Sequence, residues 1–104
     1  MMDFEFHPAA EQEYFEAANY YDAQLKGLGD RFTEHIEVAI SKVRENPLTW
    51  HKLSKHTRRC LAATFPCGII YVVHENRIFI LAVMHLKRRP GYWKSRLLDV
   101  QKRK

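Results

Sequence analysis

Apolar residues recur at steps of four and three from Ala10 through Tyr14, Ala17 and Tyr21 to Leu25, which places them on one stripe of a helix and leaves Glu11, Glu16 and Asp22 largely off it. A second stripe, Leu28, Phe32, Ile36, Ala39 or Ile40, and Val43, runs on to Asn46. There Pro47 disfavours helical geometry in the residue before it. Gly27 interrupts the first pattern, so the spacing predicts two amphipathic helices joined at Gly27 to Gly29 as a helical hairpin. Ahead of them, Asp3 to Phe6 reads as a short strand closed by His7-Pro8, and Pro8 suits the first turn of a helix, where its missing N–H costs nothing.

Beyond a loop over Pro47 to Thr57 the period becomes that of strands. Arg59 to Phe65, Gly68 to His74 and Ile78 to His85 are rich in β-branched and aromatic residues. Phe65-Pro66-Cys67-Gly68 supplies one turn and Glu75-Asn76 a tight second one, which predicts an antiparallel meander. In the last strand Ile78, Ile80, Ala82 and Met84 alternate with Phe79, Leu81 and Val83, so both faces are apolar. The helices can cover one face; a partner chain or neighbouring loops must cover the other. Pro90 to Leu98 is a candidate terminal helix, and Gln101 to Lys104 reads as a frayed basic tail. The expectation is an α+β fold in a single domain over residues 1–104: an N-terminal strand, a helical hairpin packed on an antiparallel β-meander, and a short C-terminal helix. The first strand can join either edge of the meander.

Composition agrees with one soluble domain, since 46% hydrophobic residues supply a core and 28% charged residues a surface. The longest apolar runs, Ile69 to Val73 and Ile78 to Met84, are far short of the roughly 18 residues of a membrane span, and the N-terminus lacks a basic segment followed by an apolar one. A cytoplasmic protein with no membrane contact is expected. Cys60 and Cys67 have no CxxC spacing and read as free thiols, and the six histidines lack a paired ligand spacing. No metal or cofactor is expected.

Charge changes the picture most. Residues 1–46 hold ten Asp/Glu against four Lys/Arg, a net −6, whereas residues 47–104 hold two against thirteen, a net +11. The basic half includes His85-Leu86-Lys87-Arg88-Arg89-Pro90-Gly91-Tyr92-Trp93, which gathers imidazole, guanidinium, phenol and indole in one short segment suited to an anionic partner.

The order of these elements, with Ala10-x-x-Glu13, Tyr20-Tyr21, Gly27-Leu28, Phe32, Pro47, Phe65-Pro66, Ile70-Tyr71, Ala82-Val83 and His85-x-x-Arg88-x-Pro90-x-Tyr92-Trp93, resembles the RelE/ParE superfamily of bacterial type II toxins from about Phe4 to Arg96. The resemblance implies a toxin neutralised by an acidic, partly disordered antitoxin. It also implies one of two targets: DNA gyrase, inhibited by ParE-like members, or the ribosome, where RelE-like members cut messenger RNA.

The first reading is a ParE-like inhibitor of gyrase, with Arg58, Arg59, Arg88, Arg89, Lys94 and Arg96 as the target- or nucleic-acid-binding cations. The alternative is a ribosome-dependent endoribonuclease. In it His85 is the base, kept neutral by nearby Arg88 and Arg89; Arg88 with Arg58 or Arg59 braces the phosphate, and Tyr92 positions the RNA. A third reading is a member that only binds its antitoxin or nucleic acid. RelE-type nucleases carry an arginine just after the opening turn of the middle strand, where this chain has Cys67-Gly68; Lys52 and Lys55 fall in the region of the family's lysine-bearing segment. His85 can equally orient the terminal segment, and Tyr92 and Trp93 can cap the open end of the sheet, one of the two being buried.

Overall fold

The computed structural model describes residues 1–102. β1 (Asp3–Phe6) leads into α1 (Pro8–Gln24) and α2 (Leu28–Glu45), followed by β2 (His51–Lys52), β3 (Thr57–Leu61), β4 (Cys67–His74), β5 (Arg77–His85) and α3 (Lys94–Gln101). The five strands form one sheet in the order β1-β5-β4-β3-β2, antiparallel except for β1, which lies parallel to β5. This fixes the position of the first strand. His7 stops it and caps α1: its Nδ1 accepts from the Ala9 N–H at 3.1 Å, with Pro8 in the first turn.

The hairpin follows its two stripes. Ala10 and Tyr14 of α1 and Phe32, Ile36, Ala39, Ile40 and Val43 of α2 are buried against Ile69, Tyr71, Ile78 and Ile80 of the sheet. Leu25 departs from the expected stripe: α1 ends at Gln24, and Leu25, in extended conformation at φ −157°, is exposed. The corner is tight. Gly27 has φ +89°, and Asp22 Oδ1 accepts from the N–H groups of Gly27 and Gly29. At Gly29 the helices touch so closely that a Cβ would lie 2.5 Å from the Ala18 carbonyl oxygen.

The meander is as expected in order, with three differences. β3 begins at Thr57 and ends at Leu61, because Ala62 to Pro66 form the turn, with Thr64 at φ +74°. β2, two polar residues pairing with Arg58 and Arg59, adds an edge where a loop was expected. The third concerns the faces of β5. Ile70 pairs with Ala82 and Tyr71 with Ile80, which leaves Leu81 as a bulge. Past it the alternation inverts: Val83 joins Ile78 and Ile80 under the hairpin, while Ala82 and Met84 join Phe79 and Leu81 on the other face.

That other face is covered from within the chain, so the expectation of a partner chain or loops over it is corrected. Trp93, Val100 and the partly buried Leu97 close it over Ile70, Val72, Phe79 and Met84. The terminal helix starts four residues later than Pro90, since Arg89 to Trp93 turn through Gly91 at φ +81° before the chain becomes helical. It runs through Gln101, which was expected in the tail; Arg103 and Lys104 of that tail lie outside the described residues. No helix among the described residues is long and apolar enough to cross a membrane.

Candidate functional site

β1 pairs with β5 only from Arg77 to Ile80, because His7-Pro8 turns the chain into α1. The edge of β5 beyond Ile80 is therefore open, and it holds backbone groups that need partners. Side chains supply them. Glu13 Oε1 accepts from the Val83 N–H at 3.1 Å, and Arg96 Nη1 donates to the Leu81 carbonyl at 2.9 Å. The two side chains also meet each other, Nη1 to Oε1 at 2.9 Å and Nη2 to Oε2 at 3.1 Å, with only 13% and 16% of them exposed. Tyr92 completes the clasp by donating its hydroxyl to Glu13 Oε2 at 2.8 Å. Burial, and then the bond to Glu13, push the Tyr92 phenol well above its ordinary pKa.

One acidic residue of the first half thus holds the cationic segment of the second. His7 adds a second tie, its Nε2 lying 2.7 Å from Asp99 Oδ2 of α3. Over the clasp lies Arg88, half exposed, with its guanidinium 3.9 Å from the centre of the Tyr92 ring and 3.7 Å from Glu13. The fixed turn presents Lys87, Arg88 and Arg89 as exposed cations, and Lys94, the first residue of α3, is exposed beyond it.

His85 and Arg88 line a 410 Å³ cleft between α1 and the end of β5, together with Glu13, Tyr20, Tyr21 and Cys67. Nδ1 of His85 accepts from the Lys87 N–H at 3.1 Å. A neutral His85 therefore carries its proton on Nε2, and that nitrogen is a donor. Cys67, buried and paired with His85 across β4 and β5, has its thiol pKa pushed up by burial, which leaves it protonated at neutral pH.

The expected cations divide. Arg58 and Arg59 are successive strand residues and so point to opposite faces of the sheet. Arg58 donates to the Trp50 carbonyl at 2.9 Å and lines a 150 Å³ cavity beside Tyr71, whose hydroxyl bonds the Pro47 carbonyl. Arg59 lies against Gly68 and lines a separate 280 Å³ groove with Trp93 and Lys94. Neither shares the cleft of His85 and Arg88. Arg96, expected as a surface cation, is instead a partly buried structural partner of Glu13 and the Leu81 carbonyl. Lys52 and Lys55 are exposed, and Lys55 borders the cavity of Arg58. Trp93 is the buried aromatic and Tyr92 the clasped one. Among the described residues no cluster of three His, Cys, Asp or Glu residues can hold a metal ion.

The sequence places Glu13 in the Ala10-x-x-Glu13 stretch of the resemblance but assigns it no role in a site. Its signal was a carboxylate three residues after Ala10 and four before Ala17, on the apolar stripe itself, where an acid has no place unless a cation meets it.

Comparison with known proteins gives a consistent picture. The family model of the ParE toxin of type II toxin-antitoxin system, parDE, matches residues 4–90. Among solved structures, a chain described as "Chromosomal ParDE TA system from P. aeruginosa" superposes with a TM-score of 0.63 at 12% identity, covering 84% of this chain and 98% of that one. At that identity the likeness speaks for the fold. No curated protein sequence matches this chain.

Proposed function

This chain belongs to the ParE toxin family of type II toxin-antitoxin systems, and from that premise we propose that it arrests growth by docking its clasped cationic turn on DNA gyrase, and that an acidic, partly disordered antitoxin neutralises it. The observation carrying the reading is the distribution of arginines. Cleavage through a 2′-hydroxyl needs a proton acceptor and several cations converging on one phosphate. Here Arg58, Arg59 and Arg88 line three separate cavities, and Nδ1 of His85 is already engaged by backbone.

A rigid, half-exposed turn bearing Lys87, Arg88 and Arg89 suits docking instead, because the clasp has already ordered the backbone that presents them. The excess of positive charge in the second half fits an acidic partner. Purified gyrase tests the reading: added chain is expected to block supercoiling, with potency falling as salt rises, while ribosomes in a purified translation system keep their messenger RNA intact. Unimpaired supercoiling together with ribosome-dependent cutting contradicts it and favours the nuclease.

A further inference from the structure

The groove beneath α3 is separate from the cleft of His85 and Arg88, lies on the opposite face of the sheet, and has no role in the docking just described. Its floor is aliphatic, built from Ile70 and Met84, with Leu53 and Leu86 at the rim still 37% and 41% exposed. Two cations face it. The stem of Arg59 crosses Gly68, where an added Cβ would meet Arg59 Cγ at 3.1 Å, and Lys94 folds back over Gly91, where a Cβ would meet its Cε at 2.9 Å. Both glycines leave room for the side chain that reaches the groove.

None of the lining residues is acidic, and among the described residues neither Arg59 nor Lys94 enters an ion pair. Nε of Arg59 is shielded from solvent and has no hydrogen-bond partner. Two like charges beside a shielded, unpaired donor form an unfavourable arrangement that an anion would relieve.

We infer that this groove binds a short acidic peptide segment of a protein partner, an aliphatic side chain lying on Ile70 and Met84 while an Asp or Glu carboxylate bridges Arg59 and Lys94. The chemistry of the lining selects a peptide over a nucleic acid. Binding of single strands relies on open aromatic faces for stacking, and Trp93 here is only 4% exposed, packed into the core under α3. An aliphatic floor beside a part-buried arginine with a shielded Nε, with exposed Lys94 at the rim, matches the apolar centre and charge-assisted anchor of a peptide contact instead.

The test follows backbone amide resonances of the isotopically labelled full chain. Three probes are titrated: an acetylated, amidated pentapeptide of alternating leucine and glutamate, its glutamine counterpart, and a hexauridine RNA. The leucine–glutamate peptide is expected to shift Arg59, Ile70, Gly91 and Lys94 saturably, and the glutamine peptide to bind about tenfold more weakly or worse. Arg59→Gln and Lys94→Gln are each expected to weaken the acidic peptide by a similar factor, with Lys26→Gln on the helical corner leaving it unchanged. Equal binding of the neutral peptide, shifts centred on Lys87 and Arg88, RNA saturating the same resonances, or no saturation at millimolar peptide overturns the inference. The comparison of peptides on the unaltered chain decides even if a variant fails to fold. Growth arrest and supercoiling are scored apart from these titrations, so the docking reading and the groove stand or fall separately.

Discussion

Arginine does opposite things at the open edge of β5 and in the groove beneath α3. At the edge, Arg96 is met by a carboxylate and a carbonyl, and both of its Nη nitrogens donate to them. In the groove, the stem of Arg59 lies against Gly68 and its Nε is shielded, yet Nε has no partner and no acid lines the wall. The difference lies in reach. Acidic residues are concentrated in the first half of the chain, and α1 delivers Glu13 to one side of the sheet only. A cation enclosed with Glu13, as Arg96 is, becomes part of the scaffold; one left half exposed beside it, as Arg88 is, or out of its reach, as Arg59 is, stays available to a partner.

The sharpest way to break this contrast is to remove Glu13. Glu13→Ala strands the Arg96 charge and the Val83 N–H in a largely buried site beside the cleft, and a loss of about 3 kcal/mol is expected in urea unfolding. The pair Glu13→Leu with Arg96→Met is expected to recover most of it, because an apolar replacement leaves no unpaired charge. Single and double variants of equal stability would remove the clasp from the account.

Alkaline pH probes the same edge with a smaller effect. Tyr92 is raised above its ordinary pKa chiefly by burial, and burial also pushes Tyr14 and Tyr71 up to about 12. The folded chain therefore holds phenolic protons that the unfolded chain releases near pH 10. By linkage the stabilisation from these groups is fully present below pH 10 and is lost as pH rises toward the folded values. Unfolding midpoints measured from pH 8 to 12 should fall above pH 10, and Tyr92→Phe should reduce the slope; a flat profile contradicts the burial assigned to these rings.

In the groove the sign reverses. Arg59→Met keeps the stem over Gly68 and removes the unpaired donor, so stability is expected to hold or rise by up to about 1 kcal/mol. A loss as large as that of Glu13→Ala would mean that Arg59 is a scaffold residue like Arg96. The smallest effect on stability belongs to Arg88→Ala. Its contact with Glu13 spans 3.7 Å and its side chain is 53% exposed, which puts the change within about 1 kcal/mol. Growth arrest on expression should nevertheless weaken markedly.

Much of this fold was legible because its period is strong. The stripes from Ala10 to Tyr21 and from Leu28 to Val43 face the core as their spacing dictates, and β4 and β5 lie close to their expected limits. Sidedness in β5 was hidden, since every residue from Ile78 to Met84 is apolar and a bulge at Leu81 leaves no trace in such a run. β2 was hidden for the opposite reason: two polar residues carry no period. The cations were legible as a cluster but not as individuals, because Glu13 meets Arg96 across 83 residues of sequence, a pairing only the assembled sheet edge creates. Arg58 and Arg59 were grouped as neighbours, although strand geometry alone sends them to opposite faces.

If the clasped turn and not the groove docks on gyrase, supercoiling with the purified enzyme separates two variants titrated beside the unaltered chain, Arg88→Gln with Arg89→Gln and Arg59→Gln with Lys94→Gln. The first is expected to need at least about tenfold more protein for half-inhibition, and the second to stay close to the unaltered chain; full potency of the first, or failure of the second alone, would place docking elsewhere.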